Sequence, residues 1–185
     1  LVQRGFSGPI YATRATHDLC RILLPDSGRL QEEEAASANR NGWSKHSPAR
    51  PLYTEAEARI ALEHFSVRPY DKDFDVAEGV RARFLYAGHI LGASMIHVQY
   101  RRRSILFSGD LGRPDDPIMR PPVDPPVCDD LVIESTYGNR RHGEEDPIER
   151  LGEVIGRTAA RGGVVVIPAF AVGRTQALLD GIHRL

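Results

Sequence analysis

Residues 84–113 read FLYAGHILGASMIHVQYRRRSILFSGDLGR, and the fold turns on how this stretch is parsed. Phe84, Leu85 and Tyr86 form an apolar run ending in Ala87-Gly88-His89. Ile105, Leu106 and Phe107 form another, ending in Ser108-Gly109-Asp110. Between them Ile96, Val98 and Tyr100 alternate with His97 and Gln99, the period-2 pattern of a half-buried strand over 94–100. Arg101-Arg102-Arg103 then supplies a turn between two antiparallel strands. This parse sets a histidine and an aspartate, 21 residues apart in sequence, at loop tips on a rigid sheet, where functional side chains are commonly carried. Glycines flank both and permit tight turns. Alone, such a pair is equally well explained as a buried histidine and a turn aspartate.

The whole chain bounds what this stretch can belong to. Its 185 residues suffice for one domain or a little more, and 41% apolar content can build a core. The 24 basic and 25 acidic residues nearly cancel, so any nucleic-acid surface must be local. Cys20 and Cys128 match no zinc or redox spacing, which suits a reducing compartment. No signal-peptide pattern or membrane-spanning run is present, so a soluble cytoplasmic protein is expected. The chain opens without methionine and stops at Leu185 within an amphipathic pattern, which points to a fragment of a longer protein.

Upstream, residues 5–11 (GFSGPIY) suggest a turn and a short strand. A helix begins at Ala15-Thr16, with Thr16 as N-cap and Leu19, Ile22 and Leu23 on one face, and Pro25 interrupts it. Residues 26–40 continue as an acidic exposed helix. Glu32, Glu33 and Glu34 point in different directions there, so they make a solvated face rather than a metal cluster. Residues 41–51 (NGWSKHSPARP) form a loop by composition. Trp43, Lys45 and His46 have the chemistry to stack on and grip a nucleotide, but a surface loop with one docked aromatic is the simpler reading. Thr54 and Glu57 form a capping box for a helix over 54–65. Strands follow at 67–70 and 80–86, around a polar turn at Asp71-Lys72-Asp73.

Downstream, residues 114–126 are a proline-rich connector. Residues 130–134 (DLVIE) are a short strand ending in a carboxylate, and 135–142 (STYGNRRH) a loop. Asp146, Pro147 and Glu149 mark a helix start, and Gly162-Gly163 its end. Residues 164–167 are a continuous apolar strand expected to be buried on both faces. After a turn at 168–171, Gly173 opens a last helix with Arg174 near its N-terminus. The sum is an α/β pattern: a mixed sheet layered with helices.

His89, Asp110 and Glu134 thus stand at three strand ends. Imidazole and carboxylate suit zinc, and a carboxylate can bridge two metals. Two metals about 4 Å apart can hold a hydroxide and stabilise the oxygens of a phosphoryl displacement. Catalytic zinc normally takes about three protein ligands, so this chain offers part of a site. His17, His64, His97 and His183 fall on helical or strand positions that suit structural or exposed roles, whereas His142 follows Glu134 in a polar loop.

The ordered motifs AGHILGA (87–93), FSGDLGR (107–113), ESTYG (134–138) and IPAFAVGR (167–174) resemble the β-CASP branch of the metallo-β-lactamase superfamily. More narrowly, the chain is similar to prokaryotic RNA-processing nucleases related to the endonuclease subunit of the cleavage and polyadenylation machinery. Residues 5–19 (GFSGPIYATRATHDL) look like the segment that follows that family's first histidine cluster. The resemblance implies an αββα metallo-β-lactamase-type layered sheet, in part, over 1–142 and the start of the β-CASP lobe over 143–185. It implies two zinc ions in the intact site, with His89 on one and Asp110 bridging both. Glu134 would sit near the metals, helping to orient or protonate through a downstream histidine. The family's His-x-His-x-Asp-His cluster is expected just before Leu1 and its remaining histidines beyond Leu185, so the fragment alone is expected to be inactive.

The implied reaction is hydrolysis of single-stranded RNA by zinc-bound hydroxide, with no membrane partner and room for a homodimer. Endo- and exonucleolytic cutting both fit. Arg174 could add a phosphate contact, and Arg101 to Arg103 suit a solvated turn better than an RNA contact. The alternatives are a DNA-directed nuclease of the same superfamily and a non-catalytic β-CASP subunit. A thioester or lactone hydrolase fits less well, because such enzymes lack the lobe to which ESTYG and IPAFAVGR belong.

Overall fold

The computed structural model describes residues 1–140, 143 and 145–185. The chain folds as a mixed α/β structure. Its main sheet has five strands in sequence order: β3 (Asp73–Ala77), β4 (Val80–Tyr86), β5 (Ser94–Tyr100), β6 (Arg103–Phe107) and β7 (Asp130–Val132). The first three junctions are antiparallel and β6–β7 is parallel. Ahead of it β1 (Ile10–Ala12) pairs in parallel with β2 (Phe65–Val67), and helices α1 (Arg14–Asn41) and α2 (Glu55–Leu62) lie between them in sequence. The chain ends in α3 (Pro147–Ala159) and α4 (Arg174–Arg184).

The parse of 84–113 holds: β4, β5 and β6 are successive antiparallel strands, and the turn at Arg101 takes a left-handed backbone with φ 55°. The buried face of β5 is the one that carries Met95 and His97, whereas Ile96 and Tyr100 are exposed. Leu85, Met95 and Leu106 share one sheet face and close a core with Ala87, over which Leu111 and Cys128, on either side of the connector, pack. The Ile96 face is covered at the β3–β4 end, where Phe84, Phe74 and Tyr11 stack with centroids 5.1 and 5.0 Å apart.

Four other expectations are corrected. The N-cap of α1 is Thr13, whose hydroxyl accepts from the Thr16 N–H. Pro25 does not interrupt α1, which runs unbroken for 28 residues. A helical proline costs about 3 kcal/mol, but Pro25 is buried, and at nearby Gly28 the helix meets the start of α2 in backbone contact. A Cβ on Gly28 would stand 2.7 Å from Thr54 C and Glu55 N, so burial against α2 offsets the break. The segment read as a turn at 71–73 leads into β3, an edge strand whose Asp73 accepts from Arg83 Nε at 2.7 Å. Residues 164–167 form no strand among the described residues, and Val164 and Val166 are each 85% exposed. An apolar run becomes a strand only where a neighbour completes its ladder.

The capping box on α2 is present, and Asp146 caps α3 with Pro147 at its first position. Glu32, Glu33 and Glu34 are exposed: Glu32 accepts from the Glu55 N–H, and Glu33 pairs with Arg29. His142 lies outside the described residues. Among them, no helix is long and apolar enough to cross a membrane.

Candidate active site at the strand ends

Three loops meet at one edge of the sheet. The first leaves β4 and carries His89, the second leaves β6 and carries Asp110, and the third leaves β7 and carries Glu134. Backbone hydrogen bonds weld the first two, since the Gly112 N–H donates to Ala87 O at 2.8 Å. A Cβ on Gly112 would collide with the Gly88 carbonyl and lie 2.8 Å from His89 N, so only glycine lets these loops touch. Behind them, Gly88 holds φ 70° and presses on the connector, where a Cβ would come within 2.6 Å of Arg120 O.

The third loop joins through Glu134 itself. Its Oε1 accepts from the Leu111 N–H at 2.7 Å, the residue that follows Asp110. Its Oε2 accepts from the Thr136 hydroxyl at 2.7 Å, and its own N–H donates to Ser108 Oγ at 3.0 Å. The Thr136 hydroxyl, foremost, and the Leu111 N–H hold the carboxyl below its usual range against partial burial, and the His89 imidazole adds to the effect. Glu134 is therefore an ionised acceptor at neutral pH, fixed in orientation and tied to the turn that carries Asp110.

The His89 loop is also gripped from α1. The Thr13 and Thr16 hydroxyls reach Gly92 O at 2.9 and 3.0 Å, and Thr13 is buried. Tyr70 OH donates to Ala93 O at 3.0 Å. Sequence patterning gave no sign of Thr136, Ser108 or this threonine pair as parts of the site. Their signal is hydrogen bonding across 76 residues or more in the case of the threonines, which periodicity does not reveal.

The side chains of His89 and Asp110 are exposed beside this scaffold. They fit zinc in kind, as imidazole and carboxylate, and fall short in number: among the described residues no group of three or more His, Cys, Asp or Glu is placed to hold a metal ion. The other histidines stand apart in role. His97 is buried in β5, and His17 stacks near Phe65 with centroids 5.5 Å apart.

Arg174 is the exposed first residue of α4. The preceding Gly173 rests on Ile90, next to His89, where a Cβ would lie 2.8 Å from Ile90 Cγ2. The start of α4 thus stands beside the His89 loop. Its turn is braced internally: Gln176 accepts from the Gly173 N–H at 2.7 Å, and the Thr175 hydroxyl donates to Phe170 O at 2.7 Å.

No protein-family model matches the chain. It is 31% identical over 180 residues to ribonuclease TTHA0252 of Thermus thermophilus, covering 97% of this chain and 38% of that protein. It is 34% identical to transcription termination factor FttA of Thermococcus kodakarensis, over 94% of this chain and 26% of that protein. It is 33% identical to cleavage and polyadenylation specificity factor 73 of Drosophila melanogaster, over 97% of this chain and 24% of that protein. The chain therefore spans 24% to 38% of the length of these relatives.

Proposed function

From a chain that belongs to the β-CASP family of metallo-β-lactamase-fold RNA nucleases, we propose one part of a zinc-dependent ribonuclease, the part that supplies His89, Asp110 and Glu134 to the catalytic centre. The observation that carries this reading is the convergence of three strand-end loops through the Gly112–Ala87 and Leu111–Glu134 hydrogen bonds. His89 and Asp110 would each hold zinc, together with ligands from the rest of the protein. Bound zinc supplies Lewis acidity toward a phosphodiester and activates water.

The chain's own residues set the stage for that chemistry. Glu134 keeps the Asp110 turn in register through the Leu111 N–H, and its ionised carboxylate can orient a proton donor contributed by another segment. Arg174, at the start of α4 beside the His89 loop, would bind a phosphate of the substrate. Residues 143–185 would open the lobe that closes over the centre.

The test is cleavage of end-labelled single-stranded RNA and DNA by the full-length protein. RNA is expected to be cut in preference to DNA, and the reverse preference would assign a DNA-directed nuclease. Asp110→Asn is expected to lose zinc and abolish cleavage. Glu134→Gln is expected to keep zinc and slow hydrolysis by about 10²-fold, within the usual range for a proton-handling group. Full activity of Asp110→Asn, or loss of zinc from Glu134→Gln, would overturn the corresponding assignment.

A further inference from the structure

Trp43 is the single tryptophan of these 185 residues, and it is not docked: 59% of its surface is exposed. An indole left in water forgoes apolar burial unless a ligand covers it. It stands at the rim of a cavity of about 290 Å³ between the last turns of α1 and the following loop, lined by Gln31, Glu34, Ala38, Arg50 and Leu52 among others.

The loop is held in shape from the helix. Asn39 clasps Ala49 at both ends, donating from Nδ2 to its carbonyl at 2.9 Å and accepting its N–H at 2.7 Å. Gln31 accepts the Leu52 N–H at 3.0 Å, and Ser44 Oγ accepts the His46 N–H at 3.0 Å. The indole and its surroundings are therefore displayed on a braced surface.

The charge of the loop is of one sign. From Ala35 to Tyr53 the sequence contains Arg40, Lys45, His46 and Arg50 and no carboxylate, in a chain whose charges otherwise cancel. Among the described residues, Arg40, Lys45 and Arg50 form no ion pair. Glu34, at the cavity edge, is the one acidic side chain lining it. An exposed aromatic platform flanked by unpaired cations has the composition of a single-strand nucleic-acid contact: the ring stacks on any base, and the cations follow the backbone.

We propose that this surface is a second RNA-binding site, in which Trp43 stacks on an unpaired base and Lys45 and Arg50 contact flanking phosphates. It rests on the ribonuclease reading above and adds a substrate contact remote from the catalytic loops. Thr16 touches the His89 loop, and Ala38 lines the cavity at the other end of the same helix, about 33 Å away at helical rise. A substrate must be long enough to span that distance before it gains from the second site.

The test uses full-length protein in an Asp110→Asn background, so that RNA stays uncut. Binding of labelled single-stranded RNA is followed by anisotropy, with one oligonucleotide of about 25 nucleotides and one of about 4. Trp43→Ala is expected to weaken binding of the long RNA about 10-fold and leave the short one unchanged. Trp43→Phe, which keeps a stacking ring, is expected to bind nearly as the parent does. Lys45→Glu with Arg50→Glu removes two phosphate contacts and is expected to lower the slope of log affinity against log salt by about 1.4. If the parent binds long RNA and Trp43→Ala binds it equally, the second site is overturned while the ribonuclease reading stands. If the parent binds no RNA of either length, both fall.

Discussion

His97 shows what a single residue's surroundings do to its chemistry. It sits opposite Arg83 on β4 and Leu106 on β6, 5% exposed, with no hydrogen-bond partner for Nε2 among the described residues. Burial, first, and the neighbouring Arg83 guanidinium hold its pKa below the ordinary 6.5, with Asp73 pulling weakly the other way. Below about pH 6.5 the unfolded chain binds a proton that the folded chain refuses, so stability falls as pH drops, by at most about 1.4 kcal/mol per pH unit. His97→Leu is expected to remove this component of the pH dependence and to cost little at pH 7.5, because it replaces an unsatisfied polar atom by an apolar one. Urea unfolding at pH 7.5 and 5.0 measures it. An unchanged acid sensitivity in the variant would assign the effect to other groups. The sequence pattern placed His97 on the face opposite Ile96 and Val98, which is correct. It could not say which face is covered, because that depends on what packs above the sheet.

At the scale of elements, α1 links the sheet's working edge to the rest of the molecule. Its N-cap Thr13 and its first-turn Thr16 aim two hydroxyls at one carbonyl, Gly92 O, in the loop that also holds His89. Replacing both by valine keeps their shape, removes both donors from a buried carbonyl at a cost of about 1–3 kcal/mol, and removes the Thr13 cap on α1 at about 1 kcal/mol more. In the full-length protein, zinc affinity is expected to drop about 10-fold as the His89 loop loosens. Thr13→Ser with Thr16→Ser keeps the hydroxyls and is expected to retain both stability and zinc. Equal loss in the serine and valine pairs, by thermal melting and zinc titration, would show that the methyl groups rather than the hydroxyls matter.

Elements were legible where their signals are local. The period-2 pattern of β5, the Thr54–Glu57 capping box and the Asp146-Pro147 helix start each rest on neighbours within a few residues. Where the decision is tertiary, local signals failed. Pro25 is tolerated because α1 is buried against α2 at Gly28, and residues 164–167 stay out of the sheet because no strand pairs with them among the described residues.

For the whole molecule, the question is how much of a metal centre these residues make alone. The motifs single out His89, Asp110 and Glu134 as candidates, and the fold gathers their three loops through the Gly112–Ala87 backbone bond and the Leu111–Glu134 bond, which a motif does not encode. Each oxygen of Glu134 accepts one hydrogen bond, from Leu111 and Thr136, and among the described residues Glu134 does not join His89 and Asp110 in a group of three placed to hold a metal ion. That leaves one imidazole and one carboxylate, against the three protein ligands that catalytic zinc normally takes. The 185 residues expressed alone are therefore expected to bind zinc weakly and to cleave no RNA, whereas a longer protein completing the donor set is expected to hold zinc tightly. Competition against a chromogenic chelator, run on both forms with Asp110→Asn as the control, separates the cases. Tight stoichiometric binding by the 185 residues that Asp110→Asn does not abolish would place the metal elsewhere and detach His89 and Asp110 from it. Tight binding that Asp110→Asn does abolish would keep them as ligands, and would require a third donor within these residues beyond the two exposed side chains.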